Sequence, residues 1–210
     1  MHETSRMSGR DVGWMRTGLD SPNPTPYIGF DIETYSPDGF PEDFEDPIVA
    51  ATLGISHSGD IRQGLMVISL IYPPHAERSL LRRLLNLMAA CPEGFLLTYN
   101  GRRFDVAYLI DRAARHRLDS DTALSKHEHA DLYDIIKHSG MPLASYGQKT
   151  VEHFLGIGHE ITDISGITYH LFYRRFLEEG GLKPVFYNIE DGIGCLLILK
   201  TLARKSFKAM

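Results

Sequence analysis

Residues 27–33, Tyr-Ile-Gly-Phe-Asp-Ile-Glu, alternate strictly, and this segment constrains the fold more than any other. In an extended strand Ile28, Phe30 and Ile32 fall on one face, and Gly29, Asp31 and Glu33 on the other. The apolar face requires a core packed against it. The other face carries two carboxylates that project together, repel, and raise each other's pKa unless a cation sits between them. Oxygen ligands of this kind suit hard divalent ions such as Mg²⁺ or Mn²⁺. The plain alternative is a pair of solvated acids at a strand end, and Asp-x-Glu alone does not separate the two.

The segments that follow interleave strand and helix patterns. Ile48–Ser56 and Leu65–Tyr72 are apolar, partly β-branched runs bounded by Gly and Pro, and Phe95–Tyr99 is a shorter one. Residues 76–90 predict a helix with Leu80, Leu81, Leu84, Leu85, Leu87 and Met88 opposite Arg78, Arg82 and Arg83. Residues 104–117 predict a second, with Phe104, Ala107, Tyr108 and Ile110 available to the core, and 143–155 hold a third, short one. The last, 189–206, buries Ile193, Leu196, Leu197 and Leu199 and ends in Arg204 and Lys205, placed to favour its C-terminus. This order argues for a layered α/β domain with a mixed sheet. Residues 1–24 lack apolar periodicity and run into a proline-punctuated stretch, so they read as a loose leader to a single domain over 25–210.

Composition narrows the function classes. The chain has 210 residues, 43% hydrophobic and 23% charged, long enough to bury a core without a staple. Its two cysteines, Cys91 and Cys195, exclude a disulfide scaffold or a four-cysteine zinc module and lie in apolar contexts that suit core packing. Low cysteine usage points to a reducing, cytoplasmic setting. No apolar run approaches the roughly 18 residues of a membrane span. A net charge of −5 gives no overall basic field, which argues against a structural nucleic-acid binder but leaves room for an enzyme built around carboxylates.

Two further segments bear on those carboxylates. Residues 96–105 read as a buried strand, an Asn100-Gly101 turn, and a helix whose first turn holds Asp105, where the backbone dipole favours an anion with or without any other role. Tyr187 precedes Asp191 by four residues, so a helix already under way at Tyr187 stacks phenol and carboxylate on one face. Taken together, the segments resemble the DEDDy-type 3′–5′ exonucleases of the ribonuclease H-like superfamily, in particular the proofreading domain of family B DNA polymerases as a stand-alone protein. Residues 30–34 (Phe-Asp-Ile-Glu-Thr) match the first exonuclease motif, and Gly39-Phe40-Pro41 and Asp46-Pro47-Ile48 its continuation. Asn100-Gly101-x-x-Phe104-Asp105-x-x-x-Leu109 matches the second motif and Tyr187-x-x-x-Asp191 the third in its tyrosine form. Residues 131–134 and 145–156 resemble the helical segment between motifs, with Gln148 where relatives carry an apolar residue. Arg102-Arg103 departs from the more polar version of the second motif.

The resemblance implies a ribonuclease H-like fold, a mixed central sheet of five or six strands flanked by helices. It also implies a two-metal hydrolysis of phosphodiesters, with Mg²⁺ or Mn²⁺ held by Asp31, Glu33, Asp105 and Asp191. Asp31 would bridge the two ions and Tyr187 would orient the attacking water. Substrate contacts fall to Asn100, Arg102, Arg103 and Phe104, with Asn100 equally explained as a turn-former. The expected partner is a single-stranded or frayed nucleic-acid 3′ end, DNA in preference to RNA, with no membrane and with a replication or repair protein as a further partner. An exoribonuclease and a catalytically silent binding module are the competing functions. Arg112, Arg115 and Arg117 could extend a phosphate track or merely solvate a helix, and Phe40 and Phe44 could stack on a terminal base or anchor a loop. Asp131 and Asp134 compete as acids for the metal cluster. His127-x-His129 places two rings on one strand face but lacks further zinc ligands nearby.

Overall fold

The acid-bearing segment is the middle strand of a five-stranded mixed sheet in the computed structural model, which describes residues 25–208 apart from 42, 58–60 and 62–63. The expected leader, 1–24, lies outside the described residues. In chain order the strands are β1 (Tyr27–Thr34), β2 (Ile48–Ser56), β3 (Met66–Ile71), β4 (Gly94–Thr98) and β5 (His127–Asp131), arranged in space as β3-β2-β1-β4-β5. The first three pair antiparallel, and β1–β4 and β4–β5 pair parallel. Parallel pairing needs crossovers, and helices supply them. The helices are α1 (Glu77–Ala90), α2 (Asp105–Arg115), α3 (Asp121–Leu124), α4 (Leu132–His138), α5 (Gln148–Leu155), α6 (Tyr169–Glu179) and α7 (Lys183–Lys208).

Both central strands, β1 and β2, are buried along almost their whole length because helices cover both sheet faces. Ile28, Phe30 and Ile32 meet Leu80, Leu81 and Leu84 of α1 and Tyr108 and Leu109 of α2. On the opposite face Leu97 of β4 packs with Leu196 and Ile198 of α7, Leu132 and Ile136 of α4, and Val151 of α5. Cys91 and Cys195 are buried free thiols.

Local patterns misplace several boundaries. The third helix, Gln148–Leu155, lies within the expected 143–155, whereas the last begins at Lys183, six residues before the expected 189. Pro184 accounts for the early start: its fixed φ and missing N–H suit a first helical turn. Ile110 is 43% exposed, because the inward face of α2 runs through Tyr108, Leu109, Arg112 and Ala113. Helices α3 and α4 are too short to show a period, whereas α6 carries one in Tyr169, Phe172, Tyr173 and Phe176, the face it packs into the core.

Helix α7 crosses the sheet at unusually short range, and a glycine on β1 permits it. A Cβ at Gly29 would lie 2.2 Å from the Gly192 carbonyl oxygen and 3.2 Å from Leu196. The obstacle is helix backbone, which cannot rotate away. Gly29→Ala is therefore expected to cost about 1–3 kcal/mol through overpacking, with Gly158→Ala, where nothing lies within 4 Å, as a near-neutral control in the same thermal-melt comparison.

Candidate active site

Strand β1 presents Asp31 and Glu33 on the face that α7 covers, and α7 brings Tyr187 and Asp191 down on one helical face. Carboxylate oxygens of Asp31, Glu33 and Asp191 lie within 4.8 Å of one another. Asp105, first residue of α2, reaches back to β1 and accepts the Ile32 amide at 3.1 Å. Asp105, Glu33 and Asp191 are buried, and Tyr187 is 4% exposed. Four acids from three widely separated segments thus share one small region.

Their electrostatics follow from that crowding. Burial, then repulsion from Asp105, Glu33 and Asp191, pushes the Asp31 carboxyl well above its ordinary range, opposed by a hydrogen bond from Asn188. Glu33 is raised by burial and by Asp191 and Asp105, with Lys149 opposing. Burial is also the main cause for Asp105, pushed up to about 7, and for Asp191, pushed up to about 6 although Lys149, His159 and Tyr187 favour its ionised form. The Tyr187 phenol hydrogen-bonds the Asp191 carboxylate; burial and the neighbouring carboxylates raise its pKa, so it stays protonated.

Buried like charges at this spacing destabilise a metal-free protein, and a donor set of carboxylate oxygens alone fits Mg²⁺ or Mn²⁺ better than softer ions. A second observation fits an ion with its water: the Tyr169 hydroxyl is fully buried, feels the charges of Glu33 and Asp31, and has no protein hydrogen-bond partner. The sign of the pH dependence follows. A raised carboxylate pKa favours folding while the group is protonated and removes that contribution as pH rises through the folded value. Between about pH 4 and 7 the metal-free protein is expected to lose thermal stability progressively, across the window from the ordinary carboxylate range up to the folded values of Asp191 and Asp105, and saturating Mg²⁺ or Mn²⁺ is expected to flatten the profile. Melting curves over that pH range, with and without metal, read this directly.

The second motif is organised by an acid whose role lay hidden in the sequence. Asp131 caps α4 through the Tyr133 amide at 3.1 Å and also accepts the amides of Asn100 at 2.8 Å and Arg102 at 2.9 Å. It is a clamp on the β4–α2 loop, not a member of the acid cluster. Asn100 adopts φ 63°, so the turn reading accounts for its backbone. Gly101 is needed because a Cβ there would lie 2.3 Å from the Thr98 hydroxyl. Arg102 and Arg103 lie at the exposed surface of this loop, Arg102 3.9 Å from Asp134 and Arg103 6.0 Å from the centre of the Tyr133 ring. Phe104 stacks obliquely with the exposed Phe40, ring centres 5.3 Å apart.

The structure chooses between several readings the sequence leaves open, and for Arg112 it departs from both. Arg112 is buried, with its guanidinium on Glu77 and on the carbonyls of Phe44 and Glu45, so it cannot track phosphates. Arg115 is paired with Glu45 and Asp111. Arg117, at φ 55°, closes the C-terminus of α2 through its amide on the Ala114 carbonyl. Phe44 packs edge-on against Tyr108 and anchors its loop. Asp134 sits at the surface beside Arg102. His127 and His129 bond to the Met88 carbonyl and the Thr98 hydroxyl, and among the described residues the one candidate metal cluster is Asp31, Glu33 and Asp191.

Other neighbours of the site were not marked as site residues by the sequence. Lys149 of α5 places its ammonium 4.4 Å from the Tyr187 ring centre and donates to the Ile164 carbonyl. Gln148 donates to the backbone carbonyl of Asp191 at 2.9 Å and to Glu152 at 3.1 Å, so its polar side chain is satisfied where it packs against α7. The buried Glu152 pairs with His159, which also contacts Glu190. Asn188 is fully buried between Thr52 and Asp31. A polar residue next to Tyr187 in the third motif could have flagged Asn188; the others depend on loops and neighbouring helices.

Among the described residues no helix is long and apolar enough to cross a membrane. No curated protein matches the sequence. Among solved structures, the family B DNA polymerase of the hyperthermophilic archaeon Pyrobaculum calidifontis superposes with a TM-score of 0.66 at 20% identity, over 88% of this chain and 25% of that one. E. coli ExoI, in a zinc-bound complex with single-stranded DNA, superposes with a TM-score of 0.52 at 15% identity, over 85% of this chain and 39% of that one. The chain thus spans a quarter to two-fifths of the structures it resembles, and at these identities the likeness is one of fold. The family model of the ribonuclease H superfamily matches residues 28–202, nearly everything from β1 to the body of α7, and the chain belongs to that superfamily.

Proposed function

We propose that the protein is a metal-dependent 3′–5′ exonuclease of the DEDDy type, acting on single-stranded or frayed DNA ends and releasing nucleoside 5′-monophosphates. The observation that carries this reading is the convergence of Asp31, Glu33, Asp105 and Asp191 from β1, α2 and α7 beside a protonated phenol. Two divalent cations, when bound, would activate a water and offset charge on the departing 3′-oxygen. Asp31, Glu33 and Asp191 would hold the first, with Asp31 shared and Asp105 holding the second directly or through water. Tyr187, anchored on Asp191, would orient the attacking water and is unsuited to act as a base because its phenol keeps its proton. Phe104 and Phe40 offer an aromatic surface for a terminal base, and Arg102, Arg103 and Asn100 polar contacts for the strand. Cytoplasmic action beside a replication or repair complex belongs to the same proposal.

The experiment compares 5′-labelled single-stranded DNA, duplex DNA and RNA with Mg²⁺, Mn²⁺ or EDTA. A ladder shortening from the 3′ end of DNA and abolished by EDTA is expected. A ladder on RNA alone would move the substrate to RNA, and tight binding with intact strands would make the chain a binding module. Tyr187→Phe is expected to slow turnover by up to about 10²-fold with little change in KM, because a misplaced reactant costs rate before affinity. Equal losses in both would count against water positioning.

A further inference from the structure

Thr52 and Asp31 are direct cross-strand partners in the antiparallel β1–β2 ladder, so their side chains leave the sheet on one face, close together. Asn188 of α7 descends between them. The Thr52 hydroxyl donates to Asn188 Oδ1 at 2.7 Å, and Asn188 Nδ2 donates to Asp31 Oδ2 at 2.6 Å. Thr52 and Asn188 are both 0% exposed. The approach is tight, since a Cβ on Gly192 one turn further along would lie 3.0 Å from Thr52 Cγ2.

The chemistry of this chain of bonds is directional. An ionised carboxylate can only accept, so the amide must turn its NH₂ to Asp31 and its carbonyl to Thr52. The Thr52 hydroxyl donates to that carbonyl and so disfavours the flipped amide. Without Thr52, either amide orientation would leave one buried group short of a partner, and with it one orientation satisfies both. The amide thereby restrains the rotation of the Asp31 carboxylate through Oδ2, in a group that offers an oxygen within 4.8 Å of those of Glu33 and Asp191.

Resting on the cation-binding reading given above, we infer that Thr52 and Asn188 form a buried positioning relay that sets the orientation of the Asp31 carboxylate and with it the affinity of the acid cluster for a divalent ion. Neither residue touches the cation or the substrate. The relay links strand β2 and helix α7 to the acid shared by both proposed ions, so a shift of α7 over the sheet reaches Asp31 through this amide as well as moving Asp191 directly.

The test measures Mn²⁺ binding to the intact metal-free chain by calorimetry and by the EPR signal of free Mn²⁺. Loss of a hydrogen-bond partner behind a metal ligand typically costs about 10–100-fold in affinity. Asn188→Leu is expected to weaken binding by about that factor, Thr52→Val by a smaller factor of about 3–10, and Thr52→Ser is expected to restore it because the hydroxyl returns. In kinetics, kcat at limiting Mn²⁺ falls while KM for DNA holds, and excess Mn²⁺ recovers turnover in Asn188→Leu but not in Asp31→Ala. In the metal-free state the Asn188 carboxamide protons, assigned by their disappearance in Asn188→Leu, resist solvent exchange in the wild type and lose that protection in Thr52→Val. Wild-type Mn²⁺ affinity in both Asn188→Leu and Thr52→Val overturns the relay. If Asn188→Leu does not fold, the Thr52→Val and Thr52→Ser pair decides. If the wild type binds no Mn²⁺, or binds it equally well after Asp31→Asn, the cation reading falls and takes the relay with it. If binding depends on Asp31 but not on Thr52 or Asn188, the relay alone falls.

Discussion

Asp31→Asn is expected to abolish nuclease activity and, in the same molecule, to stabilise the metal-free fold. The first effect follows from its place in the cluster, where it shares a region of 4.8 Å with Glu33 and Asp191 and is repelled by Asp105. On the proposed two-ion reading, losing the shared ligand would remove charge stabilisation worth several kcal/mol in the transition state, so kcat should fall by about 10³-fold or more. The second effect follows from the metal-free electrostatics. A neutral amide of the same shape relieves repulsion on three buried carboxylates and can turn its carbonyl oxygen to Asn188. A gain of about 1 kcal/mol would appear as a rise of about 2–4 °C in Tm. Opposite signs for activity and metal-free stability are the diagnostic. A variant that loses both has lost structure, and a variant that keeps full activity removes Asp31 from the mechanism.

Arg112→Ala is expected to give the largest loss of stability among single substitutions away from the acids. Glu77 is 2% exposed and accepts from Arg112 Nε at 2.8 Å, Arg112 Nη2 at 2.5 Å, His116 Nε2 at 2.6 Å and the Ile48 amide at 2.7 Å. Arg112 also donates to the Glu45 carbonyl at 2.8 Å and the Phe44 carbonyl at 3.1 Å. The pair therefore ties α1, α2, the start of β2 and the 43–47 loop together. Truncating the arginine leaves a buried carboxylate and two carbonyls short of donors, a loss of about 3–5 kcal/mol. Burial alone would raise the Glu77 pKa, but the bonds from Arg112, His116 and the Ile48 amide outweigh it and hold the pKa below the ordinary value. With the sign set by a depressed carboxylate, the contribution is present above the unfolded pKa and is lost as pH falls through the folded one. Urea unfolding of wild type and Arg112→Ala should therefore differ most at neutral pH and converge in acid. A difference that survives unchanged at low pH would show that packing, not the ion pair, carries the loss.

The same residues show how differently sequence and structure inform. Arg112 read as surface charge at helical spacing, because its partner Glu77 lies 35 residues away and nothing local marks either as buried. Asp131 read as a spare acid for the cluster, whereas its carboxylate holds amides 31 and 29 residues upstream. Asn188 stood in plain view beside Tyr187, but its partner Asp31 is 157 residues distant.

What the amino-acid sequence determined alone was what local periodicity can carry. The alternation of β1 put Asp31 and Glu33 on one face, the four-residue spacing put Tyr187 over Asp191, and the order of strand and helix patterns implied a layered mixed sheet. Those features depend on two or four neighbouring residues and survive whatever packs around them. Only the tertiary structure decided that α7 starts at Lys183, that it passes close enough to β1 for Asp191 and Asn188 to reach Asp31, and that Arg112 of α2 turns inward. The closeness rests on a missing Cβ at Gly29 against the Gly192 carbonyl, a contact between two chain segments that no periodicity encodes.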